Sequence, residues 1–553
     1  MNKLLKLKYI LIFSLSMIII SCGDDDLEPT LAQDKDLSTG INNATDLAGV
    51  LNSAYDRMTA TSYYGRNKFI MQDVITDNMY SNQNSGRFGD SDMDYSPNGA
   101  GPWTQIYAAI AITNIVIGAD HASLDGDQGQ INHTLGQAHA LRALLHFDLL
   151  QDYGQHFVNG GGTSALGVPY VKTYKDPANL APPRDIVSSN VADIVSDLQT
   201  GISLMNDSYN ISSSYMNRAA AYAILARAAL YVGDYSTAEQ AASWVISNAS
   251  AAPSSASGFA ATYVTDNAVN SLFELAFSGT DSRGINGLAY ILRGTSYGDV
   301  RVLTGDGPGE DLYDIFESGD VRFSLLGTSE GYPSVLGKYP SMDGSDNVTI
   351  LRIEEMHLIL AETAVRSGDN ATALQYINNV ATNRGATAYS GTVTLKNVLD
   401  ERRKEFFLEG LRFHDLSRTG QDMPLIDAVK QLNDEGKILN NEKLRKKIRA
   451  LKSIREFDQK FTAPSWGFDS LEDYYVKASP IFRIQNSIKK LPQMLFIHAK
   501  DDPWVPYNAT LNLRGKFIDK FTIFITEKGG HNGFHSINGC WSDEVVKNWF
   551  ISI

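Results

Sequence analysis

This chain contains the stretch Leu225-Ala226-Arg227-Ala228-Ala229, followed by Gly233-Asp234 and Ala238, and repeats it as Leu360-Ala361-Glu362-Thr363-Ala364, followed by Gly368-Asp369 and Ala373. Each copy predicts a helix with small residues on one face, a tight turn and a second helix. Glycine at a helix end adopts the left-handed conformation, and aspartate caps the helix that follows. Small residues allow the two helices of each hairpin to approach closely.

The repeat predicts helix hairpins of the tetratricopeptide type, which bury their apolar faces only against neighbouring hairpins. Residues 138–154 form a third, weaker copy. Apolar residues at helical spacing predict three more helices, at 44–58, from Trp103 to Asn114, and at 135–153. Strands are expected to be few and short, one of them at 272–277. The expected fold class is therefore mainly α.

The bulk composition excludes two classes of protein. The formal net charge of −15 over 553 residues argues against a nucleic-acid-binding protein, because such proteins present Lys and Arg to the phosphates. The charge is compatible with a soluble body that binds neutral ligands. With only two cysteines, Cys22 and Cys540, a disulfide framework is not the source of stability.

The first 21 residues have the features of a lipoprotein signal peptide. Three lysines precede an apolar run at 9–20, which is too short for a comfortable membrane span. The run ends at Ser21-Cys22, which resembles a lipobox, and the acids that follow resemble the surface-export signal of Bacteroidetes lipoproteins. Acyl chains on Cys22 would give stable anchoring, so we expect residues 22–42 to be a lipidated tether. The alternative is a short membrane anchor with an incidental cysteine.

Several ordered motifs resemble those of the SusD/RagB family of nutrient-binding lipoproteins. They are Gly136-Gln137-Ala138-His139-Ala140-Leu141-Arg142-Ala143, Gly167-Val168-Pro169-Tyr170, Asp320-Val321-Arg322, Arg352-Ile353-Glu354-Glu355, and Glu401-Arg402-Arg403-Lys404-Glu405-Phe406 with Glu409-Gly410-Leu411-Arg412-Phe413-His414-Asp415-Leu416. The resemblance covers roughly residues 23–425 and places a SusD-like nutrient-binding domain at 43–429. The last of these motifs is the strongest match.

The resemblance implies a carbohydrate-binding protein of polysaccharide utilisation and nutrient uptake, exposed on the outer membrane. Such a protein captures glycan or peptide oligomers and delivers them to a SusC-like TonB-dependent transporter. It catalyses no reaction, and no cofactor or metal is expected. Helical spacing and alternating sign indicate that the charged residues near the end of the domain form ion pairs between helices rather than an acid/base site. These residues are Glu401, Arg402, Arg403, Glu405, Glu409, Arg412 and Asp415.

Sugar capture requires aromatic faces for stacking and amide or hydroxyl groups for the sugar hydroxyls. Residues 59–102 supply both and are predicted to form one long functional loop, and a second Gly-rich region lies near residue 294. The candidate ligand-binding residues are Tyr63, Tyr64, Tyr80, Asn82 and Tyr95 in the first region and Tyr290, Arg293 and Tyr297 in the second. The alternative for the loop tyrosines is that they are solvent-facing aromatics. Trp103 lies on a helix face and is predicted to be a core residue.

The sequence changes character after Val429, from acidic to net basic. Apolar segments at 495–497 and 521–525 predict two strands, each followed by polar residues. This order resembles the last two strands of an α/β-hydrolase of the YheT type, in which an acid follows one strand and a histidine the next. Asp502 (or Asp501) and His531 match that acid and base.

A nucleophilic serine in the required context is missing from the sequence. Two Gly-x-Ser-x-Gly matches occur, at 294–298 and 327–331, but neither opens a helical pattern. We therefore interpret residues 430–553 as an incomplete α/β-hydrolase fragment in which Asp502 and His531 are vestigial. Two other functions compete with glycan capture: an esterase that uses these two residues, which the missing serine disfavours, and a helical-repeat scaffold for a protein partner.

Overall fold

The computed structural model describes residues 40–82, 84, 86–88, 102–157, 160–178, 180–293, 298–304 and 311–421, and then 455, 458–465, 468–478, 493–501, 521–527, 535–536, 539–540 and 545–547. The chain divides into two units, Met1–Ile438 and Leu439–Ile553. Within these ranges no helix is long and apolar enough to cross a membrane. The predicted signal peptide, Cys22, nearly all of the tether and the predicted boundary at 429/430 lie outside the described residues.

Helices dominate the first unit. They are α1 (Ala44–Met58), α2 (Asn67–Val74), α3 (Trp103–Ile117), α4 (Gln128–Tyr153), α5 (Val187–Leu204), α6 (Arg218–Val232), α7 (Tyr235–Asn248), α8 (Leu288–Arg293), α9 (Ile353–Ser367), α10 (Asn370–Ala381), α11 (Leu395–Phe406) and α12 (Arg412–Thr419). Its strands are β1 (Met79–Ser81), β2 (Ser271–Leu275), β3 (Val300–Val302), β4 (Leu326–Ser329), β5 (Tyr332–Val335) and β6 (Val348–Arg352). They pair antiparallel as β1–β3, β2–β6 and β4–β5. The predicted fold class, mainly α with few short strands, is confirmed.

Both copies of the repeated pattern form the predicted hairpins, α6–α7 and α9–α10. Gly233 and Gly368 end the first helix of each hairpin with a φ of +81°, which would strain any residue with a Cβ. The aspartate after each glycine accepts a hydrogen bond, at 3.1 Å, from a backbone N–H in the first turn of the next helix. Helix α9 also packs against α7, so the two hairpins bury their apolar faces against each other.

The helix predicted at 135–153 is confirmed as part of α4, but the weaker third copy of the repeat is wrong. Gly154 has an extended backbone (φ −69°, ψ 150°), so no tight hairpin turn follows α4. Helix α4 instead packs against α5 at a close crossing. A Cβ on Gly136 would lie 2.8 Å from the carbonyl oxygen of Gly201, which leaves no room for a larger residue.

The predicted strand at 272–277 is confirmed as β2, whereas the predicted single loop at 59–102 is wrong in its first half. Helix α2 and strand β1 both lie inside it. Phe69, Ile70 and Val74 are fully or almost fully buried in α2. The Gly- and Asn-rich composition of the whole segment conceals these apolar positions, and tertiary burial stabilises the short helix.

His146 in α4 is a fully buried histidine whose two ring nitrogens have opposite roles. Its Nε2 accepts a hydrogen bond from the backbone N–H of Val171 at 3.0 Å, so its Nδ1 carries the proton and donates to the carbonyl of Arg142 at 2.9 Å. The ring stacks on Tyr170 with centroids 3.7 Å apart. Burial lowers the pKa of His146 to about 3.

We therefore expect the protein to lose stability as the pH falls from about 6.5 towards 4. The unfolded chain takes up a proton at His146 near pH 6.5, whereas the folded chain does not, so the unfolded state gains free energy on acidification. In His146→Gln, the loss of unfolding free energy between pH 7 and pH 4 should be smaller than in the wild type by about 3 kcal/mol. Denaturant unfolding at several pH values measures this difference. His121→Gln serves as the control, and equal pH slopes for His146→Gln and wild type would refute the assignment.

Among its described residues, the second unit contains a π-helix (Asp458–Thr462), the α-helices α13 (Ala463–Ser465) and α14 (Leu471–Ala478), and four strands. Strands β7 (Met494–Ala499) and β8 (Phe521–Thr526) pair in parallel, with Ile497 opposite Phe524. The short strands β9 (His535–Ser536) and β10 (Gly539–Cys540) pair antiparallel. Both strands predicted in this region are confirmed. Asp502 and His531 lie outside the described residues.

Candidate functional site

Strands β1 and β3 bring the two predicted Gly-rich regions together. Tyr80 pairs with Arg301 in the antiparallel register, and the backbone N–H of Asn82 donates to the carbonyl of Asp299 at 2.8 Å. The chain that leaves β1 and the chain that enters β3 therefore lie side by side. Residues far apart in sequence share one surface at this junction.

Five residues at the junction have half-buried or exposed side chains, and we call them the arginine–asparagine surface. They are Arg66, Asn84, Arg87, Phe88 and Asn286. Arg87 is anchored, since its Nε donates to Oδ2 of Asp299 at 2.7 Å, and the carboxylate of Asp299 is fully buried. The side-chain amide of Asn84 donates to the carbonyl of Gly298 at 3.3 Å.

Arg66 and Arg87 converge on the side chain of Asn286. The Oδ1 atom of Asn286 accepts from Nη1 of Arg87 at 3.0 Å and from Nη1 of Arg66 at 3.4 Å. The Arg66 guanidinium also lies 5.4 Å from the centroid of the Phe88 ring, a cation–π distance. Partial burial, and then the neighbouring charge of Arg87, lower the pKa of Arg66 to about 10. The surface thus combines an aromatic ring, amides and guanidinium donors.

Four of the predicted ligand-binding residues are core residues. Tyr63, Tyr64, Tyr80 and Asn82 are between 0% and 3% exposed, so a ligand does not reach their side chains in this structure. The hydroxyls of Tyr63 and Tyr64 both donate to Oδ2 of Asp148, the second at 2.7 Å. The prediction is corrected for these residues because buried hydroxyls and amides found partners inside the protein.

The predicted ligand-binding residues of the second Gly-rich region differ in their exposure and contacts. Tyr290 is half-buried on α8. Arg293, at the end of the same helix, donates to the backbone carbonyls of Lys338 at 2.6 Å and Tyr339 at 2.7 Å, so its guanidinium fastens α8 to a neighbouring segment of backbone. Tyr95 and Tyr297 lie outside the described residues, and their assignment stays a prediction.

Trp103 is not the core residue that its helix position predicts. Its side chain is 37% exposed, and its ring lies 4.9 Å from the rings of both Tyr107 and Tyr153. Trp103 is the first residue of α3, and its backbone N–H donates to the hydroxyl of Tyr153 at the end of α4. The ring therefore lies at a helix end, where helical periodicity does not report burial.

None of the five members of the arginine–asparagine surface was among the residues predicted from the sequence to bind a ligand. A weak signal exists for part of the set, because Asn84, Arg87 and Phe88 lie within the polar region that the sequence marks as functional. No local pattern indicates Asn286, which meets Arg87 across 199 positions of sequence.

The charged residues predicted to lock helices together do form ion pairs in the interior. Arg384 Nη2 lies 2.7 Å from Oε1 of Glu405 and 2.6 Å from Oε1 of Glu354. Arg322 Nη1 lies 2.7 Å from Oε1 of Glu401 and 3.1 Å from Oε2 of Glu405. All of these side chains are fully buried. The prediction of a structural network is confirmed.

Neither of the two Gly-x-Ser-x-Gly matches is shown to form the strand–serine–helix turn that a nucleophilic serine requires. Ser329 of the second match ends β4, and the chain turns through Glu330 and Gly331, both with positive φ, into β5. The segment is a β-hairpin, and no helix follows the serine, as the sequence predicts. Ser296 of the first match lies outside the described residues. No group of three or more His, Cys, Asp or Glu side chains suited to a metal occurs in the part of the chain that the structure describes.

Comparison with known families agrees with this architecture. Residues 27–230 match a family described as starch-binding and associating with the outer membrane, and residues 332–494 match the SusD family. This chain belongs to the SusD family. A SusD superfamily protein of Bacteroides vulgatus is 27% identical with a TM-score of 0.62, covering 69% of this chain and 89% of that one. A SusD superfamily protein of Bacteroides thetaiotaomicron is 26% identical with a TM-score of 0.63, covering 71% and 93%.

The SusD family assignment makes this a member of a carbohydrate-binding, outer-membrane-associated family. The C-terminal region has a separate, weaker similarity to α/β-hydrolases. Phospholipase ABHD3 of Mus musculus is 37% identical over 94 residues, which are 17% of this chain and 22% of that protein. This chain therefore spans less than a quarter of the hydrolase that it matches.

Proposed function

We propose that this protein is a lipid-anchored lipoprotein of the outer-membrane surface that captures glycan oligomers and hands them, uncleaved, to a SusC-like TonB-dependent transporter. The observation that carries the proposal is the arginine–asparagine surface on a SusD-family scaffold. The lipobox-like Ser21-Cys22 supports the anchor, and family membership supports both the membrane and the transporter. A peptide ligand is less well supported than a glycan, since the matched family is described as starch-binding.

The chemistry of the surface suits a sugar. Phe88 is a half-buried aromatic ring, packed against the core and beside Arg66, whose remaining exposed part can contact a sugar ring. The amides of Asn84 and Asn286 both donate and accept hydrogen bonds. Arg66 and Arg87 add planar arrays of donors for sugar oxygens. Asn84, Arg87 and Phe88 lie on the chain that leaves β1, while Arg66 precedes α2 and Asn286 precedes α8, so the groups lie on connecting segments, where binding residues are common.

The carboxylates near this surface support binding without cleavage. Glycoside hydrolysis requires two carboxyl groups that flank one cleft, one of them free to donate a proton. Among the described residues, Asp299 is the carboxylate in contact with Arg87 and is fully buried, while Glu401 and Glu405 are buried elsewhere in the ionic network. Each of these carboxylates has a structural partner instead of an open face.

The test is retention of the full-length protein by a panel of soluble polysaccharides in affinity electrophoresis. We expect retention by at least one polysaccharide, with no release of reducing ends and no hydrolysis of a chromogenic ester. Phe88→Ala should weaken that binding about 5- to 30-fold, the loss typical of an aromatic anchor. Phe323→Ala, which truncates an exposed phenylalanine beside Tyr313, is the matched control and should bind normally.

Three results would count against the proposal. Failure to bind every glycan in the panel, together with capture of a protein partner, would favour the helical-repeat scaffold. Hydrolysis of the ester, lost on replacing His531, would favour the esterase. Equal weakening by Phe88→Ala and Phe323→Ala would place the glycan elsewhere on the molecule.

A further inference from the structure

Arg66 and Arg87 direct two guanidinium groups at a single oxygen atom. The Oδ1 atom of Asn286 accepts from both, at 3.4 and 3.0 Å, and the backbone carbonyl of Asn286 lies 3.5 Å from Nη1 of Arg66. An amide oxygen carries only a partial negative charge. Two cations that converge on one position form a stronger site for an anionic oxygen than for a neutral one.

The two guanidinium groups at this position share the attraction of one buried carboxylate, that of Asp299. Arg87 is paired with the buried carboxylate of Asp299. Arg66 donates only to oxygens of Asn67 and Asn286, both uncharged, among the hydrogen bonds of the described residues. Arg66 therefore adds a cation that no carboxylate of its own neutralises, on a chain whose overall charge is strongly negative.

Strand β3 also carries a buried arginine with unsatisfied donors. Arg301 is 1% exposed, and its Nε and Nη1 atoms have no hydrogen-bond partner within the described ranges. Its Nη2 atom lies 3.8 Å from Oε2 of Glu330, at the tip of the β4–β5 hairpin, and the ring of Tyr332 lies 5.7 Å from the guanidinium. Arg301 lies in β3, two positions after Asp299, the carboxylate partner of Arg87.

A buried guanidinium with unsatisfied donors is costly to the folded protein. Arg66 and Arg87, which converge on one oxygen position, favour an anionic ligand there. The convergence of two guanidinium groups on one position, and the single buried carboxylate that they share, both favour a negatively charged ligand.

We propose that the arginine–asparagine surface binds the acidic group of an anionic glycan, a carboxylate or a sulfate ester, with Arg66 and Arg87 as its two cationic ligands. The acidic oxygen takes the place of Asn286 Oδ1, whose side chain turns aside, while the Phe88 ring lies against the sugar. The inference rests on the proposed function and names the ligand class. It also revises the expectation, drawn from the net charge, that the ligand is neutral.

The experiment measures affinities by calorimetry for acidic oligosaccharides and their matched neutral forms. The probes are oligogalacturonate with its carboxyl-reduced counterpart, and chondroitin sulfate oligomers with their desulfated counterpart. We expect the full-length protein to prefer the acidic member of at least one pair by about 10-fold or more. The two pairs distinguish a carboxylate from a sulfate as the recognised group.

The critical variant is Arg66→Gln, because Arg66 has no carboxylate partner whose burial would disturb folding. It should weaken binding of the preferred acidic oligosaccharide about 10- to 100-fold and change binding of the neutral form less than about 3-fold. Arg66→Lys, which keeps the charge and loses the planar fork, should restore part of the affinity. Arg57→Gln removes an equal charge from an exposed site on α1 and should bind as the wild type does.

The outcomes separate this inference from the function on which it rests. Equal affinity for the acidic and neutral members of both pairs, or an acidic preference unchanged in Arg66→Gln, would overturn the inference and leave glycan capture intact. Binding to no glycan in the wider panel would overturn both.

Discussion

Glu405→Gln should lower the free energy of unfolding by about 3–5 kcal/mol, the loss expected when one partner of a buried ion pair is removed. Glu405 lies within the fully buried network and contacts Arg322, Arg352 and Arg384. Burial alone would raise the pKa of Glu405, but the three arginines outweigh it and hold that pKa well below its usual range. Glutamine keeps the shape and replaces an acceptor oxygen with an NH₂ group that faces other donors.

Chemical denaturation at pH 7, followed by circular dichroism, measures this change. Glu239→Gln makes the same substitution on the exposed face of α7 and should change the unfolding free energy by less than about 0.5 kcal/mol. If the Glu405→Gln protein were as stable as the Glu239→Gln control, the buried ion pairs of Glu405 would not stabilise the folded protein. Because the pKa of Glu405 is depressed, its contribution is present at neutral pH and is lost as the pH falls through the folded-state pKa.

Lys68→Met should also lower the free energy of unfolding by about 3–5 kcal/mol at pH 7. Lys68 is 4% exposed, and its Nζ lies 2.8 Å from Oδ1 of Asp152 and 3.7 Å from Oδ1 of Asp148. Methionine fills the space of the side-chain stem but leaves two buried carboxylates without this cation. Both carboxylates then repel each other in a medium of low dielectric constant.

The Lys68→Met variant should carry a distinctive pH signature. Burial raises the pKa of Asp152, and Lys68 opposes that rise, so loss of the lysine raises the pKa further. A carboxyl group with a raised folded-state pKa destabilises the protein more as the pH increases. The difference in unfolding free energy between wild type and variant should therefore be smaller at pH 5 than at pH 8.

Lys396→Met is the matched control for this prediction. Lys396 is 73% exposed and pairs with Asp400 at 2.6 Å on the surface of α11. An exposed pair of this kind contributes at most about 1 kcal/mol, so the control should be near neutral at every pH. A Lys68→Met protein with the same small effect and no pH dependence would contradict the assignment.

Several features of this protein followed from short stretches of sequence. The Gly-Asp turns at 233–234 and 368–369 were predicted correctly because a left-handed glycine and an aspartate cap act within a few residues of chain. The strands β7 and β8 were predicted for the same reason, since a short apolar run next to polar residues is a local signal. The weaker copy at 138–154 failed because the residue after its helix, Gly154, is extended.

The tyrosine predictions failed for a different reason. An aromatic residue in a polar, Gly-rich stretch looks accessible in sequence, but Tyr63 and Tyr64 reach Asp148 on α4, more than eighty positions away. Trp103 failed in the opposite direction, because a helix end exposes a ring that periodicity assigns to the core. Burial is a property of the whole packed chain, and local patterns report it only within long regular elements.

Sequence by itself determined the helix hairpins and the two strands of the second unit, since each depends on residues a few positions apart. It also indicated that the charged motif is structural, but the partners of Glu405 in the network, such as Arg322 and Arg384, lie 83 and 21 positions away. Only the tertiary structure decided where a ligand-binding surface lies. Arg66 meets Asn286 across 220 positions and Arg87 meets it across 199, and β1 pairs with β3 over a similar distance. Strand pairing over that distance is set by the packing of the whole domain, which leaves no periodic trace in the chain.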